Sequence, residues 1–539
     1  MAHSRKLWKL CFMLAFLSAA FPALADCTTS APNGGSVNGQ SLWGEVPLSG
    51  SASLAPDCDV NQFAWNNFLY MTGNDSSGHP RFMSLAPWYD AMPIAGKPVW
   101  KGTYTPLQAG QMLDSTNKLQ AGDGFHLLDA NGKTVTYDIR VNEAIVNYVA
   151  ENGMYTQQAI AKAAAAFNAA PSTGGIWLPP ASANPDGSAL EVKTSWRNFG
   201  NKAGRCPSSI MLCEKDSAGT WWGLLGMHLV QKTPKHGEMI WASFEHIANA
   251  PDCATGGSNP IAQNPGSLNV NKNIPGLKDK TGWSLFNYAS YEKDGGGGND
   301  KTGKTCTYPT TGTQKSQCLN NPNPSGDNKT WVTVNVCRTD KLPPASATGC
   351  KNAASDPLAV SCLNESVQAS LSSVWKNYQL VGAAYVKWPP ALNAGAPDTG
   401  CWNFEDGDAS LNCITGSNQG YMTVLRQGTL NLANATMETW MQKGINLVTP
   451  NPHVGTLTQQ DCFSCHQPTT ASYQGDMSHL FDRAQQIGDV EAGPIWNNSD
   501  ARHKCPSVCS KAGGKWNGQW TTTEPGQMSV CGCVVANQP

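Results

Sequence analysis

Cys462-Phe463-Ser464-Cys465-His466 places two thiols and an imidazole within five residues, the C-x-x-C-H spacing of c-type heme attachment. The spacing suits that chemistry, because both sulfurs reach the porphyrin vinyl groups from one short turn and the adjacent imidazole then reaches the iron. One covalent heme c is therefore expected, held by Cys462 and Cys465 with His466 as proximal ligand. A thioredoxin-like redox pair competes for the same cysteines, but it needs a strand before and a helix after in a βαβ setting, which the flanks do not offer. The sixth iron position decides the mechanism, and its candidates are Met477 and His479 downstream and His453 and Met437 upstream. Met437 and Met441 stand at helical spacing, which also fits core packing. A ligand there makes a saturated one-electron carrier; an open iron makes a heme-dependent oxidoreductase acting on peroxide or oxygen.

A second pattern follows closely: Ala492-Gly493-Pro494-Ile495-Trp496-Asn497-Asn498, then Cys505 and Cys509, then Trp516-Asn517-Gly518-Gln519-Trp520-Thr521-Thr522-Thr523, and finally Gly526-Gln527-Met528-Ser529-Val530-Cys531-Gly532-Cys533. Indole faces stack on the apolar faces of hexoses, and Asn and Gln amides match pairs of hydroxyls. Trp496, Asn497, Asn498, Trp516, Gly518, Gln519 and Trp520 are thus candidate sugar contacts, with the core of a small sheet as the plainer role for the tryptophans. The G-P-x-W-x-N opening, the W-x-G-x-W-T-T segment and the M-S-V ending resemble the mannan-binding (oligomannose) lectin family. That resemblance implies a small three-stranded antiparallel sheet with one helix, and binding of mannose-rich oligosaccharide. It departs in two respects. Family members typically carry two tandem copies and this chain has one, so avidity would need oligomerisation. Cys505, Cys509, Cys531 and Cys533 also fall inside the module, where disulfides would staple a unit too small to bury much core.

The elements that must position these segments belong to a chain of 539 residues, long enough for several domains. Charged residues are only 14% and aromatics 9%, which excludes a solvated disordered chain. With 37 Lys and Arg against 39 Asp and Glu, and no basic stripe, nucleic acid is excluded as a partner. Arg5, Lys6 and Lys9 precede an apolar run from Leu10 to Leu24 and an Ala23-Leu24-Ala25 site, so residues 1–25 read as an export signal cleaved before Asp26. No later apolar stretch is long enough to span a bilayer. A periplasmic or secreted location follows, and with it disulfides. Of 19 cysteines, Cys11 leaves with the signal and two belong to the heme motif, so an even number remains for pairing.

The expected fold is a mixed α+β multidomain protein: a large disulfide-rich region (26–430), a small helical heme segment (431–488) and the lectin-like module (491–539). Within the large region the pattern predicts a buried aromatic element over Asn66–Thr72, a helix over Tyr155–Ala170, and strands over Trp221–Val230 and Glu238–His246 joined at Lys235-His236-Gly237. A helix over Ser366–Tyr378 and a strand over Leu380–Trp388 follow, and a further helix is expected over Met477–Ile487. His228 and His246 fall on the paired strands, either hydrogen-bonded in a core or approaching the heme. Lys280–Lys329 reads as a Gly- and Asn-rich excursion pinned by Cys306 and Cys318, and Glu405, Asp406 and Asp408 lack the matching spacing of a calcium site or a glycosidase pair. The expectation is an exported c-type heme redox protein tethered to mannose-rich polysaccharide, its partner a redox protein or small oxidant. The alternative is an adhesion protein with a structural heme.

Overall fold

The computed structural model describes residues 27–30, 36–46, 56–93, 96–114, 133–169, 175–179, 187–234, 239–252, 342–345, 357–387, 423–429, 431–439, 446–448, 451–456, 478–484, 486–512, 514–524 and 526–535, with short pieces at 127, 129–130, 283–285, 336–338, 350, 442, 462, 466 and 476. The signal, the Lys235–Gly237 turn, Glu405, Asp406, Asp408 and the Lys280–Lys329 excursion apart from 283–285 lie outside them. In chain order the elements are α1 (Pro56–Thr72), β1 (Ala86–Pro87), the single turn α2 (Trp88–Ala91), β2 (Leu113–Asp114), β3 (Thr136–Val141), α3 (Glu143–Asn152), α4 (Gln157–Ala169), β4 (Leu190–Gly200), β5 (Cys213–Lys215), β6 (Trp221–Gln231) and β7 (Ile240–His246). There follow α5 (Leu358–Ser370), β8 (Tyr378–Lys387), β9 (Thr423–Gly428), β10 (Asn446–Val448), β11 (Asn451–Thr456), β12 (Gln486–Gly493), α6 (Asn498–Lys511), β13 (Gly514–Glu524) and β14 (Met528–Val535).

Eleven strands form one antiparallel sheet in the order β1-β3-β4-β6-β7-β8-β9-β11-β10, with β2 on β3 and β5 on β6. Alternation along the strands assigns each face a core. Ile240, Ala242 and Phe244 of β7, with Leu190, Val192 and Trp196 of β4, join the core that holds α1 and α5. The opposite core takes Tyr137, Ile139 and Val141 of β3, Leu225 and Val230 of β6, helices α3 and α4, and the segments around Ala435–Met437 and Leu480–Ala484. Trp65 anchors the first core edge-on to Phe68 and Phe244, and its indole N–H donates to Asn364 Oδ1 at 2.8 Å, so its polar edge is satisfied where burial is complete. Helix α3 starts where Asn142 accepts from the Ile145 amide and stops at Gly153, whose φ of 66° suits a residue without Cβ.

The last three strands make a separate sheet, order β12-β14-β13, antiparallel throughout, with α6 packed on it. Its core is small, and it is stapled by Cys505–Cys531 and Cys509–Cys533. Elsewhere Cys27–Cys58, Cys206–Cys213 and Cys350–Cys362 are bridged.

Three expectations change. The helix placed over Ser366–Tyr378 is α5, which begins at Leu358 to bury Val360, Leu363 and Val367, ends at Ser370, and is followed by a 3-10 turn over Val374–Asn377. The helix over Met477–Ile487 is a five-residue 3-10 turn, His479–Arg483, because Gln486 onward pairs with β14. The C-terminal sheet takes its first strand from Gln486–Gly493. The expected helix through Met437 is a run of turns over 435–437. Of the expected helical heme segment, the described residues carry two helix-type backbone bonds, Glu438 to Asn434 and His466 to Cys462, besides the 3-10 turn.

Candidate functional site

At the C-x-x-C-H motif the structure describes Cys462 and His466, both half-buried; Phe463, Ser464 and Cys465 lie outside the described residues. The His466 amide donates to the Cys462 carbonyl at 2.9 Å, the i to i−4 bond of a helical turn. An i to i−4 bond brings the backbones of Cys462 and His466 together as joint attachment and iron ligation require. The His466 ring lies against Trp241 of β7, centroids 4.4 Å apart and planes inclined at 57°. Cys462 and His466 thus fit the first and last positions of a c-type heme motif, and the His466 ring meets the large sheet at Trp241.

Of the sixth-position candidates, Met437 is 1% exposed and packed in the second core, where it serves as filling. His479 opens the 3-10 turn and His453 sits on β11, but their side chains, and Met477 and Met441 entirely, lie outside the described residues. His228 and His246 take the core role. The His246 Nε2 meets the Ile210 carbonyl at 2.9 Å and its Nδ1 accepts from the Ala248 amide, and burial pushes its pKa down to about 4. His228 pairs with Glu438 at 3.3 Å beside Asn434. Asn434 also donates to Ser243, Thr436 bonds Ser195, and Glu245 accepts from the Ala435 amide and pairs with Arg338. These bonds lay the polar segment 434–438 onto the sheet face that bears Trp241. Among the described residues no three His, Cys, Asp or Glu side chains group as a metal cage.

In the C-terminal module Trp496 is 70% exposed, the counterpart of the buried indoles elsewhere. Its backbone is fixed reciprocally. Asn497 caps α6, its side-chain oxygen accepting from the Ser499 and Asp500 amides at 2.9 and 3.0 Å, while Asp500 accepts from the Trp496 amide at 3.2 Å. Asn498 Oδ1 accepts from the Trp520 indole at 2.8 Å, which holds that ring partly buried against the module core. Both asparagines thus spend their carbonyl oxygens inside the module and keep their amide NH2 groups as donors. Gly526, at φ 73°, lies beneath the end of the Trp496 ring, where an added Cβ would stand 3.6 Å from Cη2. Gly518, at φ 90°, sits at the register shift between Trp516 and Trp520 on β13. The side chain of Gln519 lies outside the described residues. Trp516 packs on the core. Asp500 and Gly526 were not anticipated; the Asn-x-x-Asp spacing before a helix was the available signal for the first.

Residues 498–533 match the family model described as "Mannan-binding protein". The C-terminal region is similar to a lectin family. The lectin MVL of Microcystis viridis is 43% identical over 42 residues, which are 8% of this chain and 37% of that lectin. The chain therefore spans little more than a third of the relative's length. No solved structure matches. The C-terminal module is thus lectin-like in sequence. Among the described residues no helix is long and apolar enough to cross a membrane.

Proposed function

We propose that the protein is an exported, glycan-bound heme protein: its C-terminal module binds mannose-rich polysaccharide, and its 462–466 turn carries one covalent heme c against the large sheet. The observation that carries the first part is Trp496, 70% exposed on a capped, disulfide-stapled scaffold within two residues of the segment that matches the mannan-binding family. A hexose would stack on this indole and take hydrogen bonds from the Asn497 and Asn498 amides. Cys462 and Cys465 would hold the heme and His466 its iron, and the group supplies one-electron chemistry when bound. The chain's own part is to orient the imidazole and to wall the site with Trp241. Five described disulfides support an oxidising compartment.

The test is direct. Full-length protein matured in a host that installs c-type heme is run on a denaturing gel stained for heme and passed over a mannan column. Wild type is expected to stain and to be retained. Cys462→Ala with Cys465→Ala is expected to lose the stain and keep retention. Removal of residues 486–539 is expected to do the reverse. A colourless wild type without a Soret band refutes the heme assignment, and unchanged retention after the truncation refutes the lectin assignment.

A further inference from the structure

The large sheet meets the heme motif in a ring contact between Trp241 and His466, residues 225 positions apart in sequence. Trp241 is the second residue of β7, held on both sides by the ladder, opposite Val230 of β6 and Ala384 of β8. Its neighbours along the same face, Ser243 and Glu245, are bonded to the 434–435 segment, so the platform beneath the indole is fixed by buried polar contacts. Resting on the heme reading above, we propose that Trp241 is the positioning residue of the proximal ligand: by packing on His466 at 4.4 Å and 57° it fixes the rotation of the imidazole plane.

An imidazole bonded to iron through one nitrogen still turns about that bond unless something grips its ring. The common device is a hydrogen bond from the second nitrogen to an oxygen acceptor. A ring face inclined between stacked and edge-on restrains rotation sterically, and its attraction favours one orientation by about two- to tenfold. The contact is made to the imidazole ring, so the proposed action of Trp241 is on orientation and not on attachment. A residue that only filled space would be replaceable by leucine without effect on the axial ligand.

The experiment uses the full-length, heme-loaded chain as wild type, Trp241→Phe and Trp241→Leu. Covalent heme is quantified by pyridine hemochrome, folding by far-UV circular dichroism, and imidazole orientation by the g-values of the ferric electron paramagnetic resonance spectrum. Attachment is expected to be equal in all three. Phe is expected to keep the native g-values, and Leu to raise the share of heme in altered or displaced axial ligation about two- to tenfold. Equal g-values and populations in Leu and wild type, with heme attached, overturn the role of Trp241 and leave the heme reading standing. An altered spectrum in Phe as large as in Leu overturns it as well, since an aromatic face would not then be the operative feature. Wild type without covalent heme removes the reading on which the role rests.

Discussion

Trp496→Ala separates fold from ligand in the C-terminal module, because the two uses of this side chain draw on different parts of its surface. A fully buried tryptophan covers about 150–250 Å². With 70% exposed, Trp496 commits only about 50–70 Å² of that to the module, including its contact over Gly526. At about 25 cal/mol per Å², less a fraction for unfolded-state compaction, its removal costs the fold about 1 kcal/mol. A pyranose covering half of the exposed remainder buries about 50–90 Å² of indole and a similar area of its own apolar face. Only part of that survives ordering and desolvation, leaving about 2–3 kcal/mol, a rise in Kd of about 30- to 150-fold. Isothermal titration calorimetry with a mannose-rich oligosaccharide reads the second quantity, and chemical denaturation the first. A Kd within threefold of wild type, with binding otherwise intact, refutes the stacking role. A stability loss above about 3 kcal/mol shows that the indole is a core element after all.

Asn497→Ala is expected to destabilise the module by about 1 kcal/mol by leaving the Ser499 and Asp500 amides uncapped, whereas Asn497→Asp keeps the acceptor; denaturation midpoints of the two variants check this, and equal midpoints refute it. If Asp preserves the midpoint but weakens glycan binding, the lost amide donor is the contact. Replacing both Cys505 and Cys531 by Ser opens a link 26 residues long and is expected to cost about 3.5 kcal/mol, read as loss of the module's near-UV signal at lower denaturant. His246 is fully buried with its pKa lowered to about 4 from 6.5, so the unfolded chain takes up this proton first as pH falls. Its contribution is complete above pH 6.5 and is lost progressively down to about pH 4; the His246 ring resonances should not titrate between pH 7 and 5, and a midpoint near 6.5 refutes the assignment.

Much of the scaffold was readable where one residue class dominates a run. The strands β6 and β7 announce themselves as apolar stretches, Trp221–Gln231 and Ile240–His246, and the alanine-rich α4 needs no partner to be recognised. The segment 431–439 was not readable. Asn434, Thr436 and Glu438 look like surface, yet the first two are buried and Glu438 half-buried because their partners, Ser195, His228, Ser243 and Glu245, come from strands some 190 to 240 positions away. The extended helix over Met477–Ile487 failed for a related reason: local pattern favoured it, but β14 claims the backbone from Gln486. At the sites, the spacing of Cys462, Cys465 and His466 and the order of Trp496, Asn497 and Asn498 were visible. That both asparagine oxygens are used internally, and that Trp241 meets His466, are tertiary facts with no local signature.

The connection between the two parts bears on what the proposed lectin module would do for the proposed heme. Residues 476–484 are tied firmly to the large sheet: Asp476 pairs with Lys232 and accepts from the Leu178 amide, Ser478 bonds Glu191, and Leu480, Phe481 and Ala484 are buried in the second core. Arg483 is buried too, its guanidinium 4.8 Å from the Trp88 ring. The lectin-like sheet begins at Gln486, two positions after Ala484, and two residues of chain reach at most about 7 Å. Such a link cannot act as a swinging arm. Glycan binding would therefore hold the large sheet at the polysaccharide surface, and lengthening the link should lower that local concentration. Inserting a Gly/Ser segment of about twenty residues between Ala484 and Gln486 relaxes the end-to-end distance to about 25 Å. Mannan affinity is expected to stay unchanged, while electron transfer from the heme to an acceptor coupled to the same mannan slows, measured by stopped-flow reoxidation. An unchanged rate would mean that proximity to the glycan plays no part in the redox role.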